Sequence, residues 1–256
     1  MEDGSQIALK QGESIQTSNA KSNGKEIIYE ASNSSKSEVV YNYLTISRGG
    51  QYSLVLSDGT KVWLNSDTQL KYPVTFEKGI NRKVELVYGE AYFDVSPSTA
   101  NNGSKFVVAN NAQEVEVIGT EFNIKAYKEE SYVYTTLVEG RVIVNLKHSV
   151  QELMPNQHLS IDLKNGTTKV SEIDVFNEVS WKDGIFSFEE KSLVDIMKVL
   201  SRWYDVEVTF ENESIKNEEF IGLLRKDQSL NKIISTIKDY GVIKNYEFNG
   251  NQLIIK

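Results

Sequence analysis

From Leu44 to about Leu163, apolar and polar positions alternate in short runs punctuated by turn residues. This period of two is the signature of strands with one face buried. Tyr52–Leu56 meets Ser57-Asp58-Gly59-Thr60 and then Lys61–Leu64. An Asp-Gly pair between two alternating runs is a strong hairpin signal. Further strands are predicted at Val84–Val87, Glu90–Val95, Lys105–Ala109, Glu114–Ile118, Glu121–Tyr127, Tyr132–Val138, Arg141–Leu146 and His158–Leu163. Gly89, Gly119 and Gly140 fall between these runs, where a positive φ or a bulge is needed. Many short strands without helical period imply a mainly β domain: a sandwich, a jelly roll or a barrel-like stack. A faint likeness among Ile7–Gly12, Val55–Gly59 and Ile161–Gly166 follows from restrictive turn chemistry.

The period changes after Gly166–Val179, a polar stretch that reads as a connector. Ser192–Leu200, then Trp203-Tyr204 and the strand-like Val206–Phe210, returns 37 residues later as Ser229–Ile237, Tyr240 and Asn245–Phe248. Leu193, Ile196, Met197, Leu200, Trp203 and Tyr204 share one helical face, and Leu230, Ile233, Ile234 and Ile237 share another. Ser192 is a predicted N-cap, with Asp195 three residues on. Asn249-Gly250 predicts a hairpin between Tyr246–Phe248 and Leu253–Ile255. The result is a small α/β module of two strand–helix–strand, βαβ-like half-units. Four segments emerge: a polar, extended and partly disordered lead-in over 1–43, a β domain over 44–165, a connector over 166–180 and the module over 181–256. Within the lead-in, Gln6–Leu9 and Glu26–Tyr29 are possible strands.

Composition narrows the function. The 256 residues carry a net charge of −8, which argues against a nucleic-acid partner. No stretch approaches the roughly 20 apolar residues of a membrane span, and Met1-Glu2-Asp3-Gly4 does not open a signal peptide. The absence of cysteine excludes disulfides and thiolate chemistry. His148 and His158 lack ligand spacing, and there is no G-x-S-x-G motif. Gly49-Gly50 and Asp183-Gly184 are turns that open no phosphate-binding helix. The carboxylates Glu85, Glu90, Glu121, Glu129 and Glu130 sit at outward positions or turns and read as solvated. Trp63, Trp181 and Trp203 sit in apolar patterns and read as packing residues, although together they could form a sugar-stacking platform. No catalytic, cofactor or metal site is assigned, and the partner-binding surface is unassigned. Two rival readings stay open. A carbohydrate-binding β-sandwich predicts an exposed aromatic platform; a glycoside hydrolase needs two carboxylates about 5–10 Å apart across one cleft.

A family resemblance rests on ordered motifs: Arg48-Gly49-Gly50-Gln51-Tyr52, Leu56–Ser66, Leu70–Pro73, Gly89–Val95, Val117–Asn123 and Thr136–Val142. Together they resemble the periplasmic domain of the FecR family of anti-sigma factors. Trp181–Phe188 through Arg202–Val206 resembles the C-terminal domain of the Bacteroidetes-type branch, itself similar to the short N-terminal signalling domains of secretins and TonB-dependent transducers. The resemblance implies a periplasmic sensor and relay without enzymatic activity. Its partner would be the signalling domain of a TonB-dependent outer-membrane receptor, and its inducing ligand an iron chelate or a glycan. The family's membrane helix and cytoplasmic sigma-binding domain have no counterpart here. The chain therefore reads as the part that follows such a helix, anchored to the inner membrane only in a longer protein and unable alone to hold an extracytoplasmic-function sigma factor.

Overall fold

The computed structural model describes residues 7, 14–16, 20–24, 26–29 and 39–256. Apart from Ile7, the possible strand Gln6–Leu9 lies outside them. The chain divides into two units, 1–47 with 51–175, and 48–50 with 176–256.

The first unit is all β. In chain order its strands are β1 (Ile15–Gln16), β2 (Ala20–Ser22), β3 (Glu26–Tyr29), β4 (Tyr41–Ile46), β5 (Tyr52–Val55), β6 (Lys61–Leu64), β7 (Thr68–Pro73) and β8 (Arg82–Asp94). They continue as β9 (Phe106–Ala109), β10 (Glu114–Val117), β11 (Glu121–Ala126), β12 (Tyr132–Glu139), β13 (Val142–Asn145), β14 (Val150–Leu153), β15 (Gln157–Asp162) and β16 (Thr168–Glu172). One leaf runs β1-β2-β3-β5-β6-β8-β11-β12-β15-β16, and a second branches from β8 through β7 to β4 and through β9 and β10 to β13 and β14. Alternate residues of both leaves, among them Leu54, Val62, Phe93 and Phe122 from one and Leu70, Leu86, Phe106 and Val144 from the other, form a single apolar core.

Strand β8 belongs to both leaves. Its first half pairs with β7 and β9, its second with β6 and β11. The sequence pattern suggests two strands here, parted at Gly89; the structure shows one strand of 13 residues with Gly89 inside it. Gly89 has φ +100°, and a Cβ there would lie 2.5 Å from Thr68 Cα and 2.6 Å from Asp67 O. Glycine therefore marks a bend between leaves, where both the dihedral and the close approach exclude a side chain. The Asp58-Gly59 hairpin joins β5 to β6 as the pattern predicts, with Gly59 at φ +85°. Asp58 also meets Arg82 at 2.6 Å, with each side chain 2% exposed. The polar stretch Gly166–Val179, read as a connector, contains β16 as the last strand of its leaf and a short helix.

The second unit contains that helix, α1 (Phe176–Val179), followed by β17 (Ile185–Ser192), α2 (Leu193–Tyr204), β18 (Glu207–Phe210), β19 (Glu219–Arg225), α3 (Leu230–Asp239), β20 (Tyr246–Asn249) and β21 (Gln252–Ile255). Each half-unit is strand, helix, strand, as the repeat implies, and β21 is an extra strand with no counterpart in the first half. The sheets are an antiparallel pair, β17-β19, and a three-stranded sheet in the order β18-β21-β20. Ser192 Oγ accepts from the Asp195 N–H and Ser229 Oγ from the Lys232 N–H, so the two helices start with the same cap. Leu193, Ile196, Met197 and Leu200 of α2 and Leu230, Ile233, Ile234 and Ile237 of α3 are buried in a core shared with both sheets. At the end of α2 the carbonyls lack helical partners. The turn Arg48–Gly50 adds donors there: the Gly49 N–H donates to the Arg202 carbonyl at 2.8 Å, and Arg48 Nη2 to the carbonyls of Ser201 and, beyond the helix, Val206 at 2.7 Å. Arg48 also pairs with Asp205, the left-handed C-cap residue, at 3.2 Å. Positive charge at this pole suits the helix dipole.

A candidate docking edge

The residues that could have carried chemistry are committed elsewhere. Glu85 pairs with Lys71 at 3.6 Å and Glu130 with Lys125 at 3.0 Å. Glu121 accepts from the Tyr92 hydroxyl. Glu90, inside β8, accepts from Asn65 at 2.8 Å and Asn123 at 3.0 Å. His158 shares a hydrogen bond of 2.8 Å with Thr136 Oγ1, while His148 is exposed between β13 and β14. Among the described residues, no three His, Asp or Glu side chains converge as a metal site.

Trp63 belongs to the first unit, and Trp181 and Trp203 to the second. Trp63 is half-buried and packs edge-on to Tyr92 at 5.7 Å. Trp181 is only 7% exposed. Trp181, Trp203 and Phe186 enclose the buried Lys226, whose Nζ lies 3.6 Å from the Trp203 ring centre. Its ammonium also donates to the Trp181 carbonyl at 3.3 Å, and Trp203 Nε1 donates to the Lys226 carbonyl at 3.1 Å. Cation–π attraction and these hydrogen bonds offset the loss of hydration. The lysine anchors the end of β19 against α2, so these aromatic faces are already occupied by the protein itself. Just beyond, the Tyr204 hydroxyl donates to the Gln228 carbonyl at 2.6 Å. Burial, and then the charge of Asp227, push its phenol up to about 12.

The edges of the second unit differ in how they meet solvent. β17 is interrupted: its pairing with β19 shifts register between Phe188 and Lys191, and Glu190 sits at φ +47°. A bulge flanked by charge discourages strand addition. β18 and β20, the outer strands of the other sheet, have four residues each. β19 has seven residues and no bulge residue of its own. It exposes Ile221 at 66% and Leu223 at 63%, while Phe220 and Leu224 are buried.

The hydrogen-bond phase of β19 is fixed at both ends. The Lys226 N–H donates to the Gly184 carbonyl and the Leu193 N–H to the Glu218 carbonyl. Antiparallel ladders alternate between bonded and non-bonded pairs. Phe220, Gly222 and Leu224 therefore direct their backbone groups to β17, and Glu219, Ile221 and Leu223 direct theirs to the open edge, as does the Arg225 N–H, while the Arg225 carbonyl accepts from the Gln228 N–H at 3.3 Å. The repeat implies a strand ahead of the second helix but not its exact place, because Phe220–Leu224 is apolar on both faces and lacks the alternation that flags a half-wet strand.

Comparison with known proteins places these features in a family. No protein with a curated description matches the chain. Two crystal structures, at 1.65 and 2.50 Å, of "a putative anti-sigma factor from Parabacteroides distasonis ATCC 8503" are similar to it. Each superposes with a TM-score of 0.75 at 26% identity, covering 84% of this chain and 98% of that one. The family model described as FecR protein matches residues 42–143, and that described as FecR, C-terminal matches residues 185–255. Both models are met in order along one chain with the fold of that structure, and the protein belongs to the FecR family.

Proposed function

We propose that this chain is the periplasmic sensing and relay region of an anti-sigma factor. It receives a signal from the signalling domain of a TonB-dependent outer-membrane transducer. Through a membrane helix and a cytoplasmic domain of the longer protein, it controls an extracytoplasmic-function sigma factor. The inducing ligand on this reading is an iron chelate or a glycan captured by the transducer.

The observation that carries the reading is the succession of the two FecR matches, the second of them on a module built for contact rather than chemistry. That module repeats one strand–helix–strand unit and presents outer strands, β19 among them, whose edges can take a partner strand. The sugar-platform reading lacks support at its main point, because Trp181 is buried and Trp203 faces Lys226.

We place transducer docking on the C-terminal module. The test compares the whole chain with one lacking Trp181–Lys256 for binding to the isolated signalling domain of a transducer encoded beside it. Loss of binding on deletion is expected. Undiminished binding would overturn the placement, and a gene neighbourhood without sigma factor or transducer would overturn the function.

A further inference from the structure

We infer that β19 is a self-complementary edge through which two copies of this chain pair, joining their two-stranded sheets into one four-stranded sheet, β17-β19-β19-β17. The inference does not depend on what the transducer contacts.

The outward positions of β19 read Glu219, Ile221, Leu223, Arg225. All four are exposed, and the two aliphatic residues expose more than 60% of their surface. A second β19, laid antiparallel about a two-fold axis at Gly222, sets Glu219 opposite Arg225 of the other copy and Ile221 opposite its Leu223. Opposite charges and aliphatic pairs directly across a ladder are favourable partners. The backbone agrees with the side chains. Ile221 and Leu223 are both of the outward-bonding class and can exchange hydrogen bonds across the new seam, while at its ends the Arg225 carbonyl already accepts from the Gln228 N–H at 3.3 Å. A shift of one residue would set outward groups against inward ones and bring no ladder.

The centre also fits. Gly222 would face Gly222 of the second copy as a non-hydrogen-bonded pair, and the Phe220 ring of each copy already covers the place a Cβ would take. Arg225 already pairs with Asp227 at 2.7 Å, but both are largely exposed, and such a pair is easily shared with a second carboxylate. A two-fold contact uses the same patch on both partners, which a near-palindromic charge pattern provides. A second copy thus answers the charge order of the edge as well as its open backbone. An exposed, regular, apolar edge is otherwise an aggregation liability that folded proteins blunt or cover.

One strand pair is a small interface, so the dimer should be weak, forming between about 10 μM and 1 mM. Sedimentation equilibrium of the whole chain over that range should show a monomer–dimer equilibrium. Glu219→Arg alone, or Arg225→Glu alone, sets like charges across the seam and should weaken dimerisation about tenfold. The double variant Glu219→Arg/Arg225→Glu should restore it. Leu223→Pro removes an amide that the β17–β19 ladder does not use, and should abolish the dimer while the circular dichroism spectrum and melting temperature stay near those of the parent. A chain that stays monomeric throughout the range, a dimer indifferent to Leu223→Pro in a folded variant, or a charge swap that fails to rescue would each overturn the inference.

Discussion

Arg82 shows how a charge can be structural in the interior of a mainly β domain. Its guanidinium lies 2.6 Å from the Asp58 carboxylate, 3.0 Å from the carbonyls of Ser96 and Ser104, and 5.4 Å from the centre of the Phe106 ring. Asp58 in turn accepts from the Thr60 N–H and hydroxyl, so one carboxylate shapes its own hairpin and ties it to β8. Removing one partner of such a pair leaves the other charged and dry. Asp58→Ala should cost about 3–5 kcal/mol in urea unfolding, and Asp58→Ala combined with Arg82→Met less than the sum of the single changes. An additive double variant would show that the two groups do not act as a pair. The hairpin role of Asp58 was legible from the Asp-Gly dipeptide. Its partner was not, because an arginine in the polar run Asn81-Arg82-Lys83 looks solvated.

At the scale of elements, glycine signals an unusual dihedral without saying what the chain does next. Gly119 and Gly140 fall between strands, as the alternation implied. Gly89 has the same kind of φ within a continuous strand. The difference lies in tertiary packing: the backbone at Asp67–Thr68 crosses against Gly89, and nothing local encodes that approach. Gly89→Ala combines an unfavourable φ with a steric clash, and should lower unfolding free energy by about 2–4 kcal/mol. A denaturation midpoint unchanged from the parent would show that β8 tolerates a side chain at its bend. β16 escaped notice for another reason. Among the described residues it pairs only with β15, and its residues are exposed or half-exposed, so its sequence never had to alternate. The helices were far more legible, because one buried face and a serine cap are written directly in residue order.

For the molecule as a whole, tyrosines with raised ionisation set an alkaline limit; Tyr72 and Tyr204 lead, and Tyr88 is raised as well. Tyr72 is buried, and its phenol is pushed well above the usual value by burial and by neighbouring Tyr29, whose hydroxyl lies 3.1 Å away. Tyr204 is raised to about 12. For both, the folded state holds its proton more tightly than the unfolded chain, whose tyrosines ionise near 10. Their contribution is thus complete below about pH 10 and is lost as pH rises through the folded values. Stability should be level on the alkaline side up to about pH 10 and then fall, and Tyr204→Phe should make the decline shallower. A decline identical in that variant would remove Tyr204 from the account. The acidic balance, the β-rich fold and the α/β module were legible in the sequence at this scale. The open edge was not, because which backbone groups face outward depends on the pairing phase with a strand whose partner residues lie 27 to 40 positions away.

The order β18-β21-β20 has a consequence for biosynthesis. The last strand in sequence is the middle strand of its sheet, with Leu253 and Ile255 fully buried. Until Ile255 has been made and delivered, β18 and β20 have nothing between them, and the apolar faces of α2 and α3 lack part of their cover. The second unit therefore cannot close progressively as the chain emerges. It closes in one late step, when its final residues slide in as the keystone between strands already waiting on either side.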